Sequence, residues 1–404
     1  MNKLRYSLAG LTVYRNLLND PLLNALQQII NVFENSQLEK VNAFSNFLFV
    51  YFSTGKKLRD YLIELIVHDD NPFSRAAETK AYADIDPCLI QAARSDLDKL
   101  AVIINLNFAV LAQKLGLQSS NWYYELAKVE PVTDKSGSFW PVSVEEMARY
   151  YARNSRGTVS KYKALRWASG RLLTGIKHPD PVKLKDLIGY ERQKEQLCLN
   201  TEKFLATGIA NNVLLYGSRG TGKSSMIKAL LNEYENRNLC LVEIGREHLK
   251  DLPFLVSHLR EYPAKKFIIF IDDLSFEDYE TEYKGLKAVM EGSLEGQVPN
   301  VLIYATSNRR HLVREYFSDR NAVDAEVNVR DTMEEKLSLA DRFGLTISFA
   351  PPMLKDYLNI VENLAAKRGL HINQEKLRSQ ALEWERSHHG PSGRTARQFI
   401  DSLR

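Results

Sequence analysis

The chain has 404 residues, 44% hydrophobic and 26% charged, the balance of a soluble globular protein with two or three domains and a sizeable core. Its net charge of +4 is too small to imply a nucleic-acid partner by itself. The three cysteines, Cys88, Cys198 and Cys240, are scattered and lack metal-ligand spacing, which excludes a cysteine metal site and fits a reducing, cytoplasmic setting.

The opening MNKLRYSLAGLTVYRN has no long apolar stretch and carries Arg5 and Arg15, which argues against a signal peptide. Residues 1–146 read as an all-helical N-terminal domain. Asp20-Pro21 has the chemistry of a helix start, and Leu22, Leu23, Leu26, Ile29, Ile30 and Phe33 follow at helical spacing. Further helices are expected over 38–52, from Lys56 to Val67, and as one long element over 88–115 that stops at Gly116. The apolar runs 42–52 and 100–112 fall short of the ~18–20 residues of a spanning helix, so they read as core helices and no membrane association is expected. These helices cluster no histidines, cysteines or carboxylates. They point to an interaction or regulatory domain without naming its ligand.

Residues 130–141 have turn composition. A basic connector over 147–182 follows, with no acidic residue from Met147 to Pro179. Arg149, Arg153, Arg156, Lys161, Lys163, Arg166, Arg171 and Lys177 are interleaved there with Tyr150, Tyr151, Tyr162 and Trp167. Such a stretch can hold a nucleic-acid backbone and stack on bases. It can equally be a solvated helical connector whose aromatics pack on the neighbouring domain, the reading that the weak overall charge favours.

From Pro181 strands and helices alternate, which predicts a parallel sheet covered by helices over 183–352. Strands are expected at 213–216, 239–244, 267–271, 301–306 and 346–349. Residues 353–404 turn helical again, with Leu354, Leu358, Val361, Leu364 and Ala365 in one stripe and a last helix after the GPSG turn at 390–393.

The densest chemistry is GSRGTGKS at 217–224, which fits G-x-x-x-x-G-K-[ST] without mismatch between an apolar strand and a helix. Gly217, Gly220 and Gly222 let the backbone wrap around phosphates, and the amides of Ser218, Arg219, Thr221 and Ser225 belong to the same cradle. The helix starting near Lys223 aims its positive end at the anion. Lys223 can reach the terminal phosphates, and Ser224 can ligate Mg²⁺. The strand 267–271 ends in Asp272 and Asp273, carboxylates at the ligand-facing edge of a parallel sheet. Asp272 is the candidate Mg²⁺ partner opposite Ser224; Asp273 is the candidate base for the attacking water, with Glu277 as a substitute. After the strand at 301–306, Asn308, or else Thr306 or Ser307, is placed to contact the γ-phosphate or that water. Arg342, with Arg320 as a second candidate, and Arg394 or Arg397 are the cations available to developing negative charge. Ile188, Gly189 and Tyr190 can pack on a base, and the absence of an [NT]-K-x-D motif favours adenine.

Together these residues resemble the AAA+ ATPases: GSRGTGKS looks like Walker A, FIIFIDD like Walker B, YATSN like the sensor-1 strand, LADRFGL like the arginine-finger segment and TARQFIDSL like the sensor-2 helix. Within that superfamily IDDLSFEDYE (271–280), VMEGSLEGQVPNVLIYATSNRRHL (289–312) and LADRFGLTISFAPP (339–352) are similar to an uncharacterised bacterial family of ATP-binding proteins or domains of unknown function. The resemblance covers 183–404. It implies an α/β P-loop core with a five-stranded parallel sheet in the order 5-1-4-3-2, a C-terminal helical lid, and ring or filament assembly. It also implies ATP and Mg²⁺ as ligands, Lys223, Ser224 and Asp272 on phosphate and metal, Asp273 in place of the usual glutamate base, Asn308 as sensor 1, Arg342 as a finger acting on a neighbouring subunit, and Arg397 as sensor 2.

The expected activity is Mg²⁺-dependent ATP hydrolysis that drives or times a conformational change in a protein partner. Two rivals stand beside it: an ATP-dependent DNA-binding switch or loader with slow hydrolysis, suggested by 147–179 and Asp273, and a small-molecule kinase, for which no acceptor site is visible.

Overall fold

A computed structural model describes residues 2–117, 143–274, 283–290, 298–308, 342–388 and 390–403. The chain divides into two compact units, Met1–Lys161 and Tyr162–Arg404.

The first unit is helical. Asp20 caps Pro21–Asn31 by accepting from the N–H groups of Leu22 and Leu23, and Ser36 with Glu39 forms a reciprocal cap at the start of Gln37–Ser53. Leu22, Leu26, Ile29, Phe47, Leu62, Ile66, Leu100 and Tyr151 meet in one core. The single long helix expected over 88–115 is instead two, Pro87–Ile104 and Phe108–Lys114. Asn105 ends the first, and the Asn107 side chain caps the second by accepting from Val110 N–H at 3.1 Å. Asparagine competes for backbone hydrogen bonds, so two of them outweigh the apolar periodicity that runs through this segment. Asp96 is wholly buried yet satisfied: its Oδ2 accepts from the N–H groups of Thr12, Val13 and Tyr14 at 2.8, 2.7 and 3.1 Å, and Lys99 pairs with its Oδ1 at 3.0 Å.

The second unit is built on a mixed sheet. Among the described residues its strands are β1 (Ala164–Ala168), β2 (Leu172–Gly175), β3 (Val213–Gly217), β4 (Leu239–Ile244), β5 (Lys266–Ile271), β6 (Val301–Ser307) and β7 (Leu345–Phe349). They lie in the order β2-β1-β4-β5-β6-β3-β7, with β2 antiparallel to β1 and every other neighbouring pair parallel. The expected five-stranded sheet in the order 5-1-4-3-2 is therefore corrected to one of seven strands, in which the five expected strands run consecutively as β7-β3-β6-β5-β4 and β1 and β2 extend the sheet past β4. The two additional strands come from the 147–182 stretch, which had no strand signal in the sequence. Leu165 and Trp167 of β1 are buried while Arg166 between them points outward to Glu243. A strand whose outward face is arginine reads in sequence as an unbroken basic segment. The same stretch also supplies the helix Val144–Asn154 to the first unit.

Helices Glu191–Thr207, Lys223–Glu233 and Leu252–Arg260 accompany the sheet. The helices Leu354–Lys367, Gln374–Ser387 and Gly393–Ser402 enclose a separate small core of Tyr357, Val361, Ala381, Ala396, Phe399 and Ile400, here termed the lid. No helix among the described residues is long and apolar enough to cross a membrane. Because β3, β5 and β6 run parallel, their C-terminal ends open on the same edge of the sheet, where a ligand crevice forms.

Candidate functional site

A cavity of about 620 Å³ lies at that edge, and it gathers most of the residues singled out in the sequence. Arg219 to Ser225, Asp272, Asp273, Asn308, Arg394 and Arg397 line it, together with Ile188 and Tyr190.

The glycine loop leaves β3 with Gly217 at φ 135°, Gly220 at 74° and Gly222 at 92°, conformations that side chains other than glycine rarely adopt. At Gly217 a Cβ would also come within 2.0 Å of the Phe349 carbonyl oxygen on β7, so steric and torsional demands both require glycine there. The Gly222 residue opens the helix Lys223–Glu233 without a side-chain cap, so the first-turn N–H groups face the cavity. Lys223 is 6% exposed, and its Nζ donates to the carbonyls of Gly217 and Ser218 at 2.8 and 2.7 Å and to Asn308 Oδ1 at 3.3 Å. Burial pulls its pKa down, opposed by the charges of Asp273 and Asp272.

Across from it, Asp272 Oδ1 accepts from Ser224 Oγ and Thr306 Oγ1, both at 2.6 Å. A hydroxyl and a carboxylate oxygen facing each other supply hard donors of the type Mg²⁺ takes, and the described residues hold no cluster of three His, Cys, Asp or Glu. A sparse protein contribution of this kind suits Mg²⁺, which usually keeps waters and borrows phosphate oxygens. Thr306, a lesser alternative in the sequence, proves central: its hydroxyl also accepts from Asp273 N–H at 2.9 Å.

Asp273 sits at φ 53°, a left-handed conformation that aspartate adopts more readily than most residues. Its Oδ1 accepts from Asn308 Nδ2 at 2.6 Å, and its Oδ2 pairs with Arg246 at 2.9 Å. Sequence reading missed Arg246. It lies just beyond the C-terminal end of β4, so the strand-end logic that found Asp272 and Asn308 points to it as well.

The opposite end of the cavity is apolar, formed by Leu187 and Ile188 from one side and Ile360 and Leu364 of the lid from the other. Gly189 and Tyr190 both take positive φ, and Tyr190 Oη donates to the Ala350 carbonyl at 2.7 Å, which fixes this strained turn against the end of β7. Gly189 itself is absent from the lining. On the lid side, Arg394 N–H donates to the Gly220 carbonyl at 3.3 Å, so the last helix meets the glycine loop directly. Arg342 lies in the turn before β7, outside the lining. Arg320 and Glu277 lie outside the described residues.

At least six of the eight basic side chains in 147–179 form ion pairs: Arg149 with Glu145, Arg156 with Asp70 and Glu78, Lys161 with Glu64, Lys163 with Glu235, Arg166 with Glu243 and Arg171 with Asp251.

A family model described as "Protein of unknown function (DUF815)" matches residues 160–404. The chain is 20% identical over 204 residues to the replication factor C large subunit of Methanococcus vannielii, covering 49% of this chain and 36% of the relative. It is 26% identical over 200 residues to a 26S proteasome regulatory subunit homolog of Methanocaldococcus jannaschii, covering 47% of this chain and 50% of that relative. With the Holliday junction branch migration complex subunit RuvB of Mycoplasmopsis pulmonis, identity is 22% over 203 residues, covering 50% and 60% of the two chains. The chain thus spans between 36% and 60% of the length of these relatives. Among solved structures, the RuvB branch migration motor of Thermotoga maritima matches with a TM-score of 0.38 and 17% identity, covering 55% of this chain and 63% of that one.

Proposed function

The chain belongs to the DUF815 family, and on that footing we propose that its second unit is an AAA+-type ATPase that hydrolyses ATP with Mg²⁺ to drive or time a conformational change in a protein partner. The observation that carries this reading is the convergence of a glycine loop, a buried lysine, the Ser224–Asp272 pair, the Asn308–Asp273 pair and two lid arginines on one cavity. In this reading 183–352, extended by the β1–β2 edge of the sheet, is the ATPase core and 353–404 its lid, while the helical first unit serves the partner.

Each group has a task that its position supports. The loop amides and the start of the Lys223 helix receive the phosphates. Lys223 exchanges its carbonyl partners for phosphate oxygens, a stronger charge-assisted bond. Ser224 and Asp272 would hold Mg²⁺, which when bound neutralises charge between the terminal phosphates. Asp273 takes the proton of the attacking water once its own donors let go, and Asn308 positions that water or the γ-phosphate. Arg397 draws the lid onto the phosphates, and Leu187, Ile188, Ile360 and Leu364 take the adenine. Arg342, outside the cavity of its own chain, acts on the site of a neighbouring copy. The DNA-switch alternative is weakened by the ion pairs that occupy most of the basic residues in 147–179.

The test is phosphate release from Mg-ATP by the full chain. Turnover that rises with protein concentration and vanishes in Lys223→Ala is expected. Turnover retained in Lys223→Ala would overturn the site assignment, and concentration-independent turnover would remove the role of Arg342 between copies.

A further inference from the structure

At the apolar end of the cavity, where Ile188 packs against the lid core, an ion pair also joins core and lid. Asp186, in the short 3-10 turn Leu184–Asp186 that leads into the Leu187-Ile188 wall, pairs through Oδ1 with Lys367 at the end of the lid helix Leu354–Lys367. The carboxylate is held in place, because its Oδ2 accepts from Lys183 N–H at 3.0 Å. Lys367 is equally well placed. It stands one helical turn beyond Leu364, and Leu364 one turn beyond Ile360, so a single helix sends two apolar side chains into the cavity and a cation to its rim. The next residue, Arg368, donates to the Ile400 carbonyl at 3.1 Å and pairs with Asp401. That ties the same segment to Gly393–Ser402, the helix whose Arg394 and Arg397 line the phosphate end.

We propose that the Asp186–Lys367 pair is a clasp between core and lid that sets how long a nucleotide stays bound. The inference rests on the nucleotide reading of this cavity. A base lying between Leu187-Ile188 and Ile360-Leu364 is gripped by both walls and is released more readily when they part, and the ion pair resists that parting. Asp186 and Lys367 are positioning residues that hold the walls together and touch no reacting atom. Their side chains are 35% and 47% exposed, so the clasp is solvent-screened, and its loss should raise the dissociation rate about two- to fivefold.

The experiment is stopped-flow release of a fluorescent N-methylanthraniloyl-ADP from the full chain in Mg²⁺, at low and high salt. Lys367→Met and Asp186→Asn are expected to release it about two- to fivefold faster at low salt, with the difference shrinking at high salt. Lys367→Arg keeps the wild-type rate. The double variant releases no faster than either single one, because both remove the same interaction. Single variants at the wild-type rate, or a double variant whose acceleration is the product of the two, would overturn the clasp while leaving nucleotide binding intact. Failure of the wild-type chain to bind the fluorescent nucleotide at all would instead remove the nucleotide reading, and the clasp with it.

Discussion

Replacing Arg246 by alanine should speed ATP turnover, the opposite of what removing a cation from an active site usually does. Both carboxylate oxygens of Asp273 are engaged, one by Asn308 at 2.6 Å and the other by Arg246 at 2.9 Å. Each oxygen keeps a free lone pair, but a carboxylate held between two donors must turn out of that geometry before it can meet the attacking water. The Arg246 and Asp273 side chains are 44% and 47% exposed, so the pair is screened and worth about 0.2–1 kcal/mol. Removing it raises the population of disengaged Asp273 by a factor of about 1.4 to 5. Asp273→Asn, which removes the base outright, should cost about 10²–10⁴ in kcat. The assay is steady-state phosphate release at saturating Mg-ATP, at one fixed protein concentration so that contacts between copies stay constant. If Arg246→Ala loses activity on the scale of Asp273→Asn, Arg246 belongs to the reacting machinery and the restraint argument is wrong. A rate equal to wild type would mean that the pair carries no energetic weight.

Gly217→Ala should destabilise the second unit by about 3 kcal/mol or more, since it adds a Cβ against the Phe349 carbonyl at a left-handed φ; calorimetry would show a lower Tm for this variant than for Gly222→Ala, which meets nothing within 4 Å. Thr306→Val should leave Asp272 with one donor fewer and Asp273 N–H without an acceptor, weakening Mg²⁺-dependent nucleotide affinity by about tenfold, as isothermal titration would register; unchanged affinity would show that Ser224 alone orients Asp272. In the first unit, burial pushes the Asp69 carboxyl up to about 6, with Asn71 Nδ2 opposing as a donor at 2.7 Å. The folded state therefore binds this proton more tightly than the unfolded chain does. The Asp69 contribution is most favourable below the unfolded pKa of 3.8 and declines as pH rises through 6, by about 2–3 kcal/mol in all. Hydrogen exchange of the helices around Ile66 and Tyr151 should show Asp69→Asn protected more than wild type at pH 7.5 and equally at pH 4; equal protection at both would refute the assignment.

Four of the five strands legible in the sequence, β3 to β6, are buried on both faces almost throughout, whereas β7 is exposed at Thr346 and Ser348. Val213 to Leu215, Phe267 to Ile271 and Val301 to Ala305 are continuous apolar runs because helices or lid cover the parallel sheet on either side. The β1–β2 hairpin has no such run. Its residues alternate between a buried face and an arginine face, and four-residue β2 is half exposed, so composition dominated over period. The break at Asn105 to Asn107 was obscured for the converse reason: the apolar positions continue through it, and only the side-chain cap reveals the new helix.

Within the site, the two ends differ in how their information is stored. Phosphate recognition uses backbone amides and one adjacent lysine, so its determinants are contiguous, and eight residues suffice to announce them. The carboxylates and Asn308 follow at strand ends, where parallel topology turns distance in sequence into proximity in space. The apolar end is built from segments more than 150 residues apart, Leu187-Ile188 and Ile360-Leu364. Leu364 belongs by sequence to the lid stripe with Val361 and Ala365. Only the fold shows that Ile360 and Leu364, which pack with Tyr357, Val361 and Ala365 in the lid core, also line the cavity. Arg246 and Lys367 are hidden in the same way, since each acts through a carboxylate far away in the chain. What the motif announces is the chemistry applied to phosphate. The groups that decide when that chemistry starts and how long the ligand stays are long-range pairs, and these are the groups that Arg246→Ala and Lys367→Met perturb.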